Sequence, residues 1–135
     1  LEELWSLDVG VQVQALDEVG SIYAGTNGSG VLAISTTGDI QWEADPGAVI
    51  DALKAADGQV FTNTVGGTLA ARDALSGTFT WESSRGGGAA ARGLEADGGS
   101  IYLATENILV ALDSSSGSSL WKAAPSGSIW AIETL

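Results

Sequence analysis

Apolar and polar residues alternate in short runs separated by turn residues. Between residues 48 and 81 the runs are "AVIDAL" (48–53), "QVFTNT" (59–64), "TLAARD" (68–73) and "TFTW" (78–81). "ADG" (56–58), "VGG" (65–67) and "SG" (76–77) separate them. Runs of this length with a period of two, bounded by Gly, Asp and Ser, predict four strands in an antiparallel meander. No window sustains the 3.6-residue period of a helix. "SRGGGAAARG" (84–93) is biased toward Gly and Ala and predicts a loop leading into a strand of small residues.

The meander recurs. Trp stands at 5, 42, 81 and 121, in steps of 37, 39 and 40. An aromatic at Tyr23, Phe61 and Tyr102 and an Ala at 33, 71 and 111 move with it. A period near 40 residues with four strands per unit predicts a β-propeller, each unit being a blade buried between its neighbours. A β-solenoid is the alternative, but its rungs are shorter than this period. The fold class expected is all-β, a partial propeller of three blades at about 9–42, 46–81 and 88–121. Residues 1–8 and 127–135 read as flanking strands, the first an outermost and the second an innermost one.

Two copies of the unit end on one template: "ARDALSGTFTW" (71–81) and "ALDSSSGSSLW" (111–121). Gly permits a positive φ in the turn between third and fourth strands. The short Asp side chain bonds turn N–H groups. Trp offers a flat surface to dock on a neighbouring blade, and its N–H needs a partner. These residues, Ala71, Asp73, Gly77 and Trp81, then Ala111, Asp113, Gly117 and Trp121, are expected to be architectural. The template resembles the tryptophan-docking motif that ends each blade of quinoprotein-type propellers, the repeat family named after pyrroloquinoline quinone (PQQ). The first copy, "AISTTGDIQW" (33–42), keeps Ala33, Gly38 and Trp42 but is one residue shorter, with Ser35 in place of Asp. "ELWSL" at the start resembles the end of a further copy. No Trp-Asp dipeptide occurs, and the Gly-His signature of other propellers needs a His that the chain lacks.

Composition narrows the chemistry. With no Cys and no His, the chain has no disulfide and no thiolate metal site, and it lacks the most usual general base and commonest neutral metal ligand. Asp and Glu number 17 against 5 Lys and Arg, a net charge of −12, which argues against nucleic acid as a partner. The same charge, with Lys only at 54 and 122, suggests a halophilic protein whose self-repulsion is screened by molar salt; a merely soluble surface is the simpler reading. No apolar run reaches the roughly 18 residues of a membrane span. The first residue is Leu, so the chain reads as processed or excised from a longer one. "GSGVLA" (28–33) matches a dinucleotide fingerprint, but β-like "VLAIS" follows where a helix is required, so it reads as a hairpin turn. Asn27-Gly28-Ser29 is both a turn signal and a glycosylation sequon.

The resemblance implies two functional classes. The family includes PQQ-dependent dehydrogenases, which hold the quinone over calcium and use about eight blades, and non-enzymatic scaffolds such as the propeller lipoprotein of bacterial outer-membrane assembly. Three blades and no visible cluster of carboxylates and amides favour a non-catalytic scaffold or binding module, without PQQ or calcium. A dehydrogenase fragment is the alternative. A third reading is a cell-surface or secreted interaction protein, since proteins of this kind usually work outside the cytoplasm. One register hints at a binding surface: "QAL", "DAL", "RGL" and "WAI" place Gln14, Asp51, Arg92 and Trp130 at one position of successive inner strands. Four unlike side chains near the propeller axis would line either a ligand site or a water-filled channel. Finally, open blade faces and strand edges favour pairing. A homodimer is therefore expected, residues 1–8 of one chain meeting 127–135 of the other, unless the chain belongs to a longer propeller.

Overall fold

In a computed structural model, residues 5–8, 10, 12–45, 47–84, 90–127, 129, 132 and 133 are described. They form twelve strands and no helix. The first sheet holds β1 (Val13–Val19), β2 (Ser21–Thr26), β3 (Val31–Ile34) and β4 (Ile40–Ala44). The second holds β5 (Ile50–Ala56), β6 (Gln59–Thr64), β7 (Thr68–Asp73) and β8 (Phe79–Ser84). The third holds β9 (Ala91–Asp97), β10 (Ser100–Thr105), β11 (Leu109–Asp113) and β12 (Ser119–Ala123). Each sheet is a four-stranded antiparallel meander in chain order. β1 packs on β5 and β5 on β9, so the first strands line the inner side of an arc of blades.

Hydrophobic pattern explains the stacking. The blades are apolar on both faces, and the cores lie between sheets. Tyr23, Val31 and Ala33 of the first blade meet Ile50, Leu53, Ala55 and Val60 of the second. Phe61, Leu69 and Ala71 of the second meet Leu94, Ile101, Leu103 and Leu112 of the third. Phe61, Leu69, Ile101 and Leu103 are at most 1% exposed. At about 25 cal/mol per Å² of apolar surface, these interfaces are the main source of stability.

Two bulges recur in every blade. The pairing of first and second strands skips one residue between Val13 and Ala15, between Ile50 and Ala52, and between Ala91 and Gly93. The skipped residues are Gln14, Asp51 and Arg92. A bulged residue has no cross-strand partner to match, which is why this register tolerates unlike side chains. The second bulge precedes the Trp of each fourth strand, at Gln41, Thr80 and Leu120.

"GSGVLA" is a turn running into β3, with Thr26 Oγ1 donating to the carbonyl of Gly30 at 2.8 Å. Residues 9, 46 and 88, where the three units were expected to begin, lie outside the described residues, as do 1–4, 128, 130, 131, 134 and 135 of the flanking segments. No helix among the described residues is long and apolar enough to cross a membrane.

Candidate functional site

The turns between third and fourth strands are built around one carboxylate each. Asp73 Oδ1 accepts from the N–H groups of Leu75 (2.9 Å) and Ser76 (3.0 Å) and from the Ser76 hydroxyl. Asp113 Oδ1 accepts from Ser115 N–H (2.9 Å), Ser116 N–H (3.1 Å) and both hydroxyls. In the shorter first turn Ser35 Oγ takes this role, accepting from Thr37 and Asp39 N–H at 3.3 and 3.1 Å.

Each turn receives the Trp of the preceding repeat. Trp5 Nε1 donates to the carbonyl of Thr36 (2.7 Å), Trp42 Nε1 to Ala74 (3.0 Å) and Trp81 Nε1 to Ser114 (2.9 Å). The turn glycine lies under the indole. A Cβ at Gly38 would come within 2.9 Å of Trp5, and one at Gly77 within 2.7 Å of Trp42. One at Gly117 would overlap Trp81. Tyr23, Phe61 and Tyr102 each tilt against the Trp of their own blade at a centroid distance of 6.1 Å. Tyr23 Oη also donates to the Ala74 carbonyl. At the next interface Phe61 has no hydroxyl, and Gln59 Nε2 donates to Ser114 instead. Trp121 ends the series, 46% exposed.

The turn hydrogen bonds hold both carboxyls below the usual carboxylate range. At Asp73 the main cause is the Ser76 N–H, then the Leu75 N–H. At Asp113 it is the Ser115 hydroxyl, then its N–H. A depressed folded pKa contributes stability that is complete above the unfolded value of about 3.9 and is lost as pH falls through the folded value. The melting temperature of Asp73→Ala should therefore fall less steeply than wild type below about pH 4. Parallel curves from pH 5 to 2 would show that the turn is not linked to acid unfolding.

On the inner strands, Asp51 Oδ1 accepts from Asn63 Nδ2 (2.8 Å) and Oδ2 from the N–H of Ala91 (2.9 Å), which ties the second blade to the third. Arg92 is exposed, with Nη2 4.0 Å from Glu106. Trp130 and the side chain of Gln14 lie outside the described residues. A second register, three residues on, escaped the sequence reading. Lys54 Nζ lies 3.8 Å from Asp17 and 3.6 Å from Glu95, so one cation joins three adjacent blades. Asp17 Oδ2 also accepts from the N–H of Ala55. The signal was a charged residue at one position of each inner strand, Asp17, Lys54 and Glu95, with Glu133 at the matching place in the repeat. Arg72 was missed too. It grips Asp45 through Nη2 (2.6 Å) and Nε (3.3 Å) and donates to the Gly77 carbonyl.

Residues 2–129 match the family described as outer membrane protein assembly factor BamB. The chain belongs to this family. No curated protein matches this BamB-family chain in sequence. Among solved structures, the computationally designed Ika4 protein superposes with a TM-score of 0.86 at 17% identity, over 99% of this chain and 87% of that one. BamB from Moraxella catarrhalis gives 0.77 at 19%, over 90% and 39%. A europium-containing methanol dehydrogenase gives 0.75 at 19%, over 91% and 27%. The BamB-family chain thus spans well under half of the last two. At these identities the likeness is one of fold, the β-propeller.

Proposed function

We propose that this BamB-family chain is a non-catalytic propeller scaffold or binding module that works with protein partners outside the cytoplasm. The observation that carries the proposal is the employment of its inner polar side chains. Both oxygens of Asp51 accept N–H groups, and Asp17 and Glu95 each pair with Lys54 across blades. These groups join blades and do not converge on an open point where a substrate would react.

The quinone-dependent alternative fits this donor set poorly. Calcium takes six to eight oxygen ligands. Among the described residues no three acidic side chains stand close enough to hold a metal ion. Asp51 already accepts one N–H group on each carboxylate oxygen, from Asn63 and from Ala91. Calorimetry with PQQ and calcium should show no uptake by the chain. Stoichiometric, calcium-dependent binding would overturn the proposal and restore the dehydrogenase reading.

A further inference from the structure

A cavity of about 270 Å³ opens between the first and second blades. It is lined by Tyr23 of β2, by Ala55, Ala56, Gly58 and Gln59 around the β5–β6 hairpin, and by Ala74 and Leu75 of the turn after β7. All of these residues lie inside the arc, between two blades that the chain itself supplies.

A short side chain accounts for the opening. Two residues before the interface aromatic, on the same face of the second strand, stands Gln59 in the second blade and Ser21 in the first. At the second interface Gln59 Nε2 reaches across to the Ser114 carbonyl (3.3 Å). At the first, Ser21 Oγ turns back to Gln41 of its own blade (2.8 Å), so the space a longer side chain would take stays open. The lining changes character as well. The repeat counterparts of Ala56, Ala74 and Leu75 at the second interface are Asp97, Ser114 and Ser115. Leu75 stands at the cavity's edge, 89% exposed in a turn whose counterpart carries Ser.

The border is acidic. Asp57, exposed at a φ of +52°, sits between the lining residues Ala56 and Gly58, and exposed Asp73 precedes Ala74. The chain as a whole carries a charge of −12. We propose that this cavity takes one large apolar side chain of a partner protein, presented on a segment with Lys or Arg beside it. An apolar cavity of about 150 Å³ already admits a benzene ring, so an aromatic side chain fits with room for its stem. A buried apolar anchor with polar contacts around it is how a few residues come to carry most of a binding energy. The proposal rests on the scaffold reading and names the chemistry of its partner.

The test is titration of the 135-residue chain with capped tripeptides, followed by the amide resonances of Tyr23, Ala55, Gly58 and Leu75. Lys-Phe-Lys should shift them, and Lys-Ser-Lys should bind about ten-fold or more weakly, the loss expected for one apolar side chain left in water. Glu-Phe-Glu should bind more weakly than Lys-Phe-Lys at low salt, with the gap narrowing at high salt and in Asp57→Asn. Ser21→Gln, which supplies the side chain the second blade already has, should fill the cavity and weaken Lys-Phe-Lys by about ten-fold or more. Leu75→Ser removes an exposed side chain and should weaken it as well. Circular dichroism and the melting temperature verify that both variants stay folded. No shift at these residues with millimolar Lys-Phe-Lys, equal binding of Lys-Phe-Lys and Glu-Phe-Glu at low salt, or indifference to both Ser21→Gln and Leu75→Ser would overturn the proposal. So would free toluene binding as tightly as Lys-Phe-Lys, which would make the cavity a site for small apolar molecules. Any of these failures leaves the scaffold reading standing, since that reading falls on uptake of PQQ and calcium.

Discussion

Trp81→Ala will lower the stability of the chain by about 3–5 kcal/mol, the range for deleting a large buried aromatic. Its indole is 7% exposed, lies on Gly117 and tilts against Phe61. Truncation opens a cavity between the second and third blades and takes the indole donor from the Ser114 carbonyl. Trp121 supplies the control within the same repeat. It shares the ring contact with Tyr102 but is 46% exposed, so Trp121→Ala should cost about 1 kcal/mol or less in the monomer. Urea melts measure both. Small and equal losses would remove Trp81 from its role in holding the blades together.

Gly117→Ala tests the other side of the same contact. The residue has a φ of +75°, and a Cβ would overlap the Trp81 ring. Holding an L-residue at that φ costs about 1–2 kcal/mol, and forcing the indole aside adds about 1–3 kcal/mol. Gly58 separates the two effects. Its φ is +74°, and a Cβ there meets nothing within 4 Å. Gly58→Ala should therefore show the backbone cost alone, and Gly117→Ala about 2–5 kcal/mol in all. Equal melting temperatures for the two variants would mean that the indole yields without penalty.

The strands were legible because each blade is buried on both faces and its turns carry Gly and Asp. "QVFTNT" and "TLAARD" coincide with β6 and β7. The fourth strands run two or three residues past their Trp, to Ala44, Ser84 and Ala123. Those residues, Glu43 and Ser83 among them, are largely polar, and ladder hydrogen bonds rather than side-chain pattern keep them in the sheet. The inner register was visible as variability, but its cause, a bulge, was not, since a bulge is a property of pairing. The Lys54 ladder was readable in principle from one repeat position. The Arg72–Asp45 pair was not, because it joins residues 27 apart in different units with no counterpart elsewhere in the repeat.

The docking contact also has a direction in time. Each of these three docked indoles rests on a glycine that comes later in the chain: Trp5 on Gly38, Trp42 on Gly77 and Trp81 on Gly117. A ribosome making 5–20 residues per second delivers each glycine roughly 2–7 s after its tryptophan. A growing chain therefore always carries one undocked indole at its leading edge, and each new turn hides it while the next tryptophan emerges. The acidic surface travels with that edge, and its charge keeps neighbouring nascent chains apart during the seconds of exposure.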